Sequence, residues 1–355
     1  MSRLNNVDFT INTLPKNRPG VFWPNNTPGR FFRNALILQE IMECVSEEPG
    51  NPNPTLLALA LTNKAVLLSP VLDAIWKTMH SLGPFLRFLP HDGMNIMSTA
   101  PATGCAHFMG YANRLRHLRL AGKTPADTFD VVSLLRFARH QPPDLPLFPS
   151  LQSICFTSNE VSMLCAAYTE MTAHSPITTL EFTNLHTETK SFGNVLSSFA
   201  LRYYRSLKTL KLHFPDPRRE FGMRSMQYLP HFTDLQVLSI TCLHPQFPIF
   251  ELMELITGLE ALRDLRINIR VEKSPPPTVI NLRSKASSLS LLRLEGPLGF
   301  IGTALALFDK VKSCDNVVLI PNPSVGDAEK DILAQYVAKS FRSQPDLRFE
   351  LPGML

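Results

Sequence analysis

The chain has 355 residues, of which 44% are apolar, and it carries a formal net charge of +5. This length suits one extended repeat domain with a small additional module, and no apolar run reaches the roughly 18 residues of a membrane-spanning helix. The Lys and Arg residues form no long run, so the composition predicts neither a nucleic-acid partner nor a membrane partner. The first residues lack the apolar stretch of a signal peptide, and the six cysteines form no CxxC pair. We therefore expect an intracellular protein, in cytoplasm or nucleus, with reduced thiols.

The N-terminal third predicts an irregular segment followed by short helices. Residues 1–34 contain four prolines and are expected to be irregular, and residues 35–90 show helical spacing of apolar side chains. The first helix has Leu38, Ile41 and Met42 on one face. A second apolar helix covers residues 55–61, and Ser69-Pro70 predicts the start of a third.

The third helix carries an apolar stripe that ends in Trp76 and Met79, and Gly83-Pro84 restarts the chain before one more apolar turn. Residues 91–114 are interpreted as a helical linker that leads into the repeats.

From residue 115 onward one pattern returns, apolar–x–x–apolar–x–apolar, at intervals of 25 to 36 residues. Only stacked repeats explain so regular a return, because each unit buries its apolar edge against the next. The spacing is typical of leucine-rich repeats and predicts about eight of them with a C-terminal cap over residues 115–355. The eight patterns begin at Leu115, Leu151, Ile177, Leu207, Leu235, Leu262, Leu289 and Cys314.

Helical segments are expected between the strands, on the other side of the sheet. Apolar faces predict helices at 129–138, 252–259 and 305–311, a charged helix at 327–341, and a last edge strand at 347–351.

The order of these features resembles the fungal-type F-box/leucine-rich-repeat proteins. The resemblance is carried by the opening amphipathic helix, the apolar second helix, Ser69-Pro70 and Trp76, and by the segment 106–118 that leads into the repeats. The usual Leu-Pro at the start of an F-box is replaced by Ala35-Leu36-Ile37. The expected fold class is α/β: a short N-terminal helical F-box-like module at residues 35–90, followed by an irregular leucine-rich-repeat horseshoe, a solenoid.

This resemblance implies a substrate-receptor subunit of an SCF-type cullin–RING ubiquitin ligase. The F-box-like module would bind the adaptor subunit of the ligase, and the repeats would hold an unknown target protein. The alternative is a ligase-independent interaction scaffold in which the helices only cap the repeats. The implied adaptor-binding residues are Leu38, Ile41, Met42, Leu57, Leu61 and Trp76.

The residues between the apolar positions of each strand are expected on the opposite, solvent-facing side. These side chains are mixed, polar to weakly basic, which suits a protein partner held by many distributed contacts. The charged and histidine positions form the predicted target-binding set: His117, Arg119, Glu181, Lys211, His213, Asp264, Arg266 and Arg293.

The sequence contains no motif for phosphate cradling, metal-dependent proteolysis or a nucleophile elbow. Gly296, Gly299 and Gly302 follow a strand and are interpreted as a repeat turn rather than a phosphate site. The histidines are single, and no nucleophile is paired with a base. We therefore expect no enzymatic activity, no cofactor and no bound metal.

Overall fold

A computed structural model describes the chain in segments separated by gaps. The described segments are 35–46, 53–62, 64–86, 108–120, 146–157, 168–183, 189–214, 226–243, 249–269, 289–307, 314–321 and 348–350, with residues 331 and 335. The predicted irregular segment 1–34, the predicted helix 129–138 and most of the predicted helix 327–341 lie outside these residues. None of the helices within the described segments is long and apolar enough to cross a membrane.

The protein contains a ten-stranded sheet in which each strand is hydrogen-bonded to the next along the chain. All neighbouring pairs are parallel. The strands are β1 (Thr78–Met79), β2 (His117–Leu120), β3 (Ser153–Phe156), β4 (Thr179–Phe182), β5 (Thr209–Phe214), β6 (Val237–Cys242), β7 (Asp264–Ile269), β8 (Leu289–Gly296), β9 (Cys314–Pro321) and β10 (Arg348–Glu350). Strands β2 to β9 coincide with the eight predicted patterns, and β10 lies where an edge strand was predicted.

The described residues include one helix that the sequence analysis did not predict. The described helices are α1 (Ala35–Ser46), α2 (Asn53–Thr62), α3 (Lys64–Lys77), α4 (Gly83–Leu86), α5 (Thr189–Tyr203), α6 (Ile249–Thr257) and α7 (Leu298–Leu307). Helix α5 was missed by the sequence reasoning, although Phe192, Leu196 and Phe199 give it a buried face at helical spacing. Helix α3 runs through Pro70, so the predicted start at Ser69-Pro70 is wrong, and the helix lacks one backbone hydrogen bond there.

The core lies on one side of the sheet and is continuous from one repeat to the next. The second apolar residue of the pattern, at its fourth position, is fully buried in each of these strands, as Leu118, Leu180, Leu238 and Leu292 show. Aromatic side chains join the middle repeats, and the rings of Phe156 and Phe182 stack with centroids 5.1 Å apart. Each repeat therefore buries its apolar edge against its neighbours.

The chain divides into two compact units, Met1–Ala74 and Ile75–Leu355. In the first unit α1 and α2 contact each other. Leu38 and Met42 of α1 and Leu56 and Ala60 of α2 are buried. The second unit contains the whole sheet.

The predicted fold class is wrong in its division of the chain. The protein is α/β, but no helical F-box-like module spans residues 35–90, because the boundary between the units cuts through that range. Strand β1 pairs with β2, and Trp76 lies against the rings of Tyr111 and Phe85 at 4.4 and 5.0 Å. The end of the predicted module is thus the first turn of the sheet unit.

The reason for this error lies in the spacing of the residues. Thr78 pairs with His117 and Met79 with Leu118, so Trp76 falls in the register of Leu115, the first apolar position of a repeat. An apolar pair three residues apart satisfies a helix stripe and a repeat pattern equally well. The packing of buried Phe85 against Phe108 and Phe148 favours the repeat over the helical module.

Candidate functional site

The sheet has a second face, opposite the core, which we call the polar face. It consists of the outward-pointing residues of β2 to β9, and these residues pair in register across all eight strands. One row is His117, Ser153, Thr179, Thr209, Val237, Asp264, Leu291 and Asn316; the other is Arg119, Cys155, Glu181, Lys211, Ser239, Arg266, Arg293 and Val318. Every residue in both rows is exposed or half-buried. The alternation of side chains along each strand produces this arrangement, as the sequence predicted.

All eight predicted target-binding residues lie on outward strand positions. His213 is placed one position beyond the two rows, within β5, and the other seven belong to the rows themselves. The four cations among the set, apart from the histidines, are exposed, whereas the acids and histidines are half-buried. The structure therefore brings the predicted set onto one surface.

The predicted adaptor-binding residues do not share one environment. Leu38 and Met42 are buried, Ile41 and Leu57 are half-buried, and Leu61 is 58% exposed. Trp76 belongs to the other compact unit and packs against its core.

Two ion pairs lie on the polar face. Lys211 Nζ and Glu181 Oε2 are 3.4 Å apart on neighbouring strands. Arg266 donates two hydrogen bonds to the Asp264 carboxylate, at 3.1 and 2.7 Å, and these bonds raise the pKa of Arg266. Because all four groups are in contact with solvent, each pair contributes only about 0–1 kcal/mol to stability. Their main effect is to fix the orientation of the charged groups.

The pKa values of both histidines of the polar face, His117 and His213, are lowered. His117 Nδ1 lies 2.8 Å from Ser153 Oγ on the next strand. Burial lowers the pKa of His117, and the positive charges of Lys77, Arg119 and Arg116 lower it further. Burial alone lowers the pKa of His213.

Cys155 lies on the polar face, in β3, but is a poor nucleophile. Burial raises its pKa, and the neighbouring Glu181 carboxylate raises it further, so the thiolate is scarce near neutral pH. The buried Cys314 thiol has its pKa raised to about 11 by burial. The described cysteines are free thiols, with Cys242 and Cys314 buried and Cys44 exposed.

A further column of residues was missed by the sequence reasoning. It lies immediately before the polar face, at the residue that precedes the outward position of each strand; we call it the strand-start column. Its members are Lys77, Arg116, Gln152, Thr178, Lys208, Gln236, Arg263, Ser290 and Asp315.

Backbone hydrogen bonds between neighbouring strands hold the residues of the strand-start column in register. The carbonyl of Arg116, for example, accepts hydrogen bonds from the amides of Gln152 and Ser153 at 2.9 and 3.0 Å, and this arrangement recurs from strand to strand. The second position of the repeat pattern would have identified these residues. It was overlooked because only the positions flanked by apolar residues on the strand were considered.

Within the described segments no group of three His, Cys, Asp or Glu side chains is placed to hold a metal ion. The polar face is instead a broad, shallow array of side chains that can form hydrogen bonds and ion pairs.

Comparison of the sequence with models of known protein families gives no match, and no curated protein matches it either.

Proposed function

We propose that this chain is a protein-interaction scaffold that binds a partner protein across the polar face. The observation that supports the proposal is the exposure of one whole face of a parallel sheet. Parallel sheets usually have both faces covered, whereas here the outward positions of eight consecutive strands are exposed or half-buried. Because most of its side chains are polar, this face is stable in contact with water and stays accessible to a partner protein.

The dimensions of the face suit a protein partner. Eight strands about 4.8 Å apart span about 34 Å, and a six-residue strand such as β5 is about 20 Å long. The product is roughly 700 Å², close to the roughly 800 Å² that each partner buries in a typical specific complex.

The composition of the face also suits a protein partner. Exposed Arg119, Arg266 and Arg293 are of the residue type enriched at interfaces. The neighbouring row contains the small polar side chains Ser153, Thr179 and Thr209, which a partner can approach closely. Binding would therefore depend on a few charged contacts surrounded by complementary surface.

The test is a pair of matched arginine substitutions. Ser239→Arg places a long charged side chain at the centre of the polar face, and Leu201→Arg places the same side chain on α5, where Leu201 is 79% exposed. Partners captured by the full chain are quantified by mass spectrometry and then purified for direct binding measurements. We expect Ser239→Arg to abolish binding and Leu201→Arg to leave it intact. A purified partner that binds both variants equally well would contradict the proposal.

The role as a substrate receptor of a ubiquitin ligase stays a prediction from the sequence resemblance. That role depended on an F-box-like module at residues 35–90, and the boundary between the two compact units divides this range. Co-purification of the full chain with the ligase adaptor remains its direct test, and absence of binding at micromolar concentration would exclude it.

A further inference from the structure

The charges on the polar face and the strand-start column are distributed unevenly along the sheet. From β1 to β5 the described side chains of these two features include five cations, Lys77, Arg116, Arg119, Lys208 and Lys211, and one acid, Glu181. All five cations are exposed. This half of the surface therefore has an excess of four positive charges.

The other half is balanced. From β6 to β9 the corresponding cations are Arg263, Arg266 and Arg293, and the acids are Asp264 and Asp315. A third acid, Glu295, lies at the outward position of β8 that follows the two rows. Arg266 is already engaged by Asp264. The net charge of this surface is therefore strongly positive at the β1–β5 end and close to zero at the β6–β9 end.

The cations around β2 lie close enough to act on a common site. The amide of Arg116 donates to the carbonyl of Lys77 at 3.0 Å, which places these residues side by side at the strand starts. The charges of Lys77, Arg116 and Arg119 all act on the His117 ring and lower its pKa. Three of the five cations of this half therefore lie together at the start of β1 and on or next to β2.

We propose, on the basis of the interaction function proposed above, that the β1–β5 half of this surface binds an anionic peptide segment of the partner protein, one rich in carboxylate or phosphate side chains. The segment would lie across the strands. Arg116 and Lys208 are three strands apart, about 14 Å, which an extended peptide covers with four to five residues. The uncharged Gln152 and Thr178 between them leave room for its backbone.

The experiment uses the full chain and fluorescein-labelled octapeptides in an anisotropy titration. The glutamate octapeptide is the probe, and the glutamine octapeptide is its uncharged counterpart. A phosphoserine peptide of the same length distinguishes the two sources of negative charge, and tighter binding of either anionic peptide than of glutamine supports the proposal. We expect the affinity to fall as salt is raised from 50 to 300 mM, because exposed charges are screened.

Two double charge reversals at equivalent repeat positions provide the variant and its control. Arg116→Glu with Arg119→Glu changes β2, and Arg263→Glu with Arg266→Glu changes the same two positions of β7. We expect the β2 pair to weaken glutamate-peptide binding at least about tenfold and the β7 pair to change it less than about threefold, since three of the five cations lie together at β1 and β2. Circular dichroism checks that both variants are folded.

Proton NMR of His117 gives an independent measure of where the peptide binds. A carboxylate that reaches β2 favours the imidazolium form, so the pKa of His117 is expected to rise on binding. An unchanged pKa would place the peptide elsewhere and overturn the proposal.

Three further outcomes would overturn it: equal loss of affinity in both variants, equal binding of the glutamine octapeptide, or tighter binding of an eight-residue oligothymidylate than of either anionic peptide. Failure of this inference is separable from failure of the proposed function. If a purified partner is lost with Ser239→Arg but retained with the β2 charge reversal, only the anionic-segment inference fails.

Discussion

Replacement of Phe85 by alanine tests whether the first turn of the sheet unit is part of its core. The Phe85 side chain is fully buried, and its ring centroid lies 5.0, 5.8 and 5.6 Å from those of Trp76, Phe108 and Phe148. Removal of a buried phenylalanine ring costs about 3–5 kcal/mol, the sum of lost transfer free energy and the cavity left behind. The three edge-to-face ring contacts favour the upper part of that range.

Because each repeat contacts mainly its neighbours, the loss should be concentrated near β1 and β2. The assay is native-state hydrogen exchange. The Arg116 amide, which donates to Lys77, reports on the first turn, and the Leu291 amide, which donates to Arg263, reports on β8. We expect protection at Arg116 to fall by about two to four powers of ten, at 1.36 kcal/mol for each tenfold change. Protection at Leu291 should change much less.

The control is Leu201→Ala in the same unit, where the side chain is 79% exposed and the expected change is within about 0.5 kcal/mol. Unchanged protection of the Arg116 amide in Phe85→Ala would refute the reasoning. It would mean that residues 75–86 fold apart from the sheet, as the sequence-based division into modules assumed.

Four other substitutions test local features of the sheet unit. Gly296 has φ +153°, and a Cβ there would lie 2.6 Å from a backbone oxygen of β7, so Gly296→Ala should lower the free energy of unfolding by about 1–3 kcal/mol in urea titration. Gly110→Ala, at a helical position where a Cβ meets nothing within 4 Å, should be neutral or stabilising by up to about 1 kcal/mol, and equal effects would refute the clash. Tyr203→Phe removes the hydroxyl that donates to the Thr172 backbone carbonyl and lies 2.9 Å from Thr172 Oγ1, at a cost of about 1–2 kcal/mol. Burial raises the pKa of Tyr203 to about 12, so the wild type should lose stability as pH rises above 10, where the unfolded state ionises first, and Tyr203→Phe should lose less in thermal melts. The lowered pKa of His117 means that the unfolded state takes up the proton first, so stability should fall as pH drops below about 6.5; calorimetry of His117→Asn should show a shallower fall, and an identical pH profile would contradict this.

The repeated pattern was sufficient to place strands β2 to β9. Its apolar residues recur at the same three positions of each repeat, and burial of Leu118 and its equivalents is the direct consequence of that recurrence. The same alternation predicted which side chains point outward, which is why the predicted target-binding residues share one surface. Both results follow from local geometry, since a strand turns alternate side chains to opposite faces.

Where the local sequence fits two conformations equally well, only tertiary contacts determine which one forms. Trp76 and Met79 have the spacing of a helix stripe and of a repeat, and pairing of β1 with β2 selected the repeat. The uneven charge of the polar face is of the same kind, because Lys77, Arg116 and Arg119 are separated by up to 42 residues in the chain and become neighbours only through the sheet. The sequence by itself determined the period, the buried rows and the outward positions. The tertiary structure decided where the sheet begins and which charges act together, because strand pairing and Coulomb interactions depend on distance in space rather than along the chain.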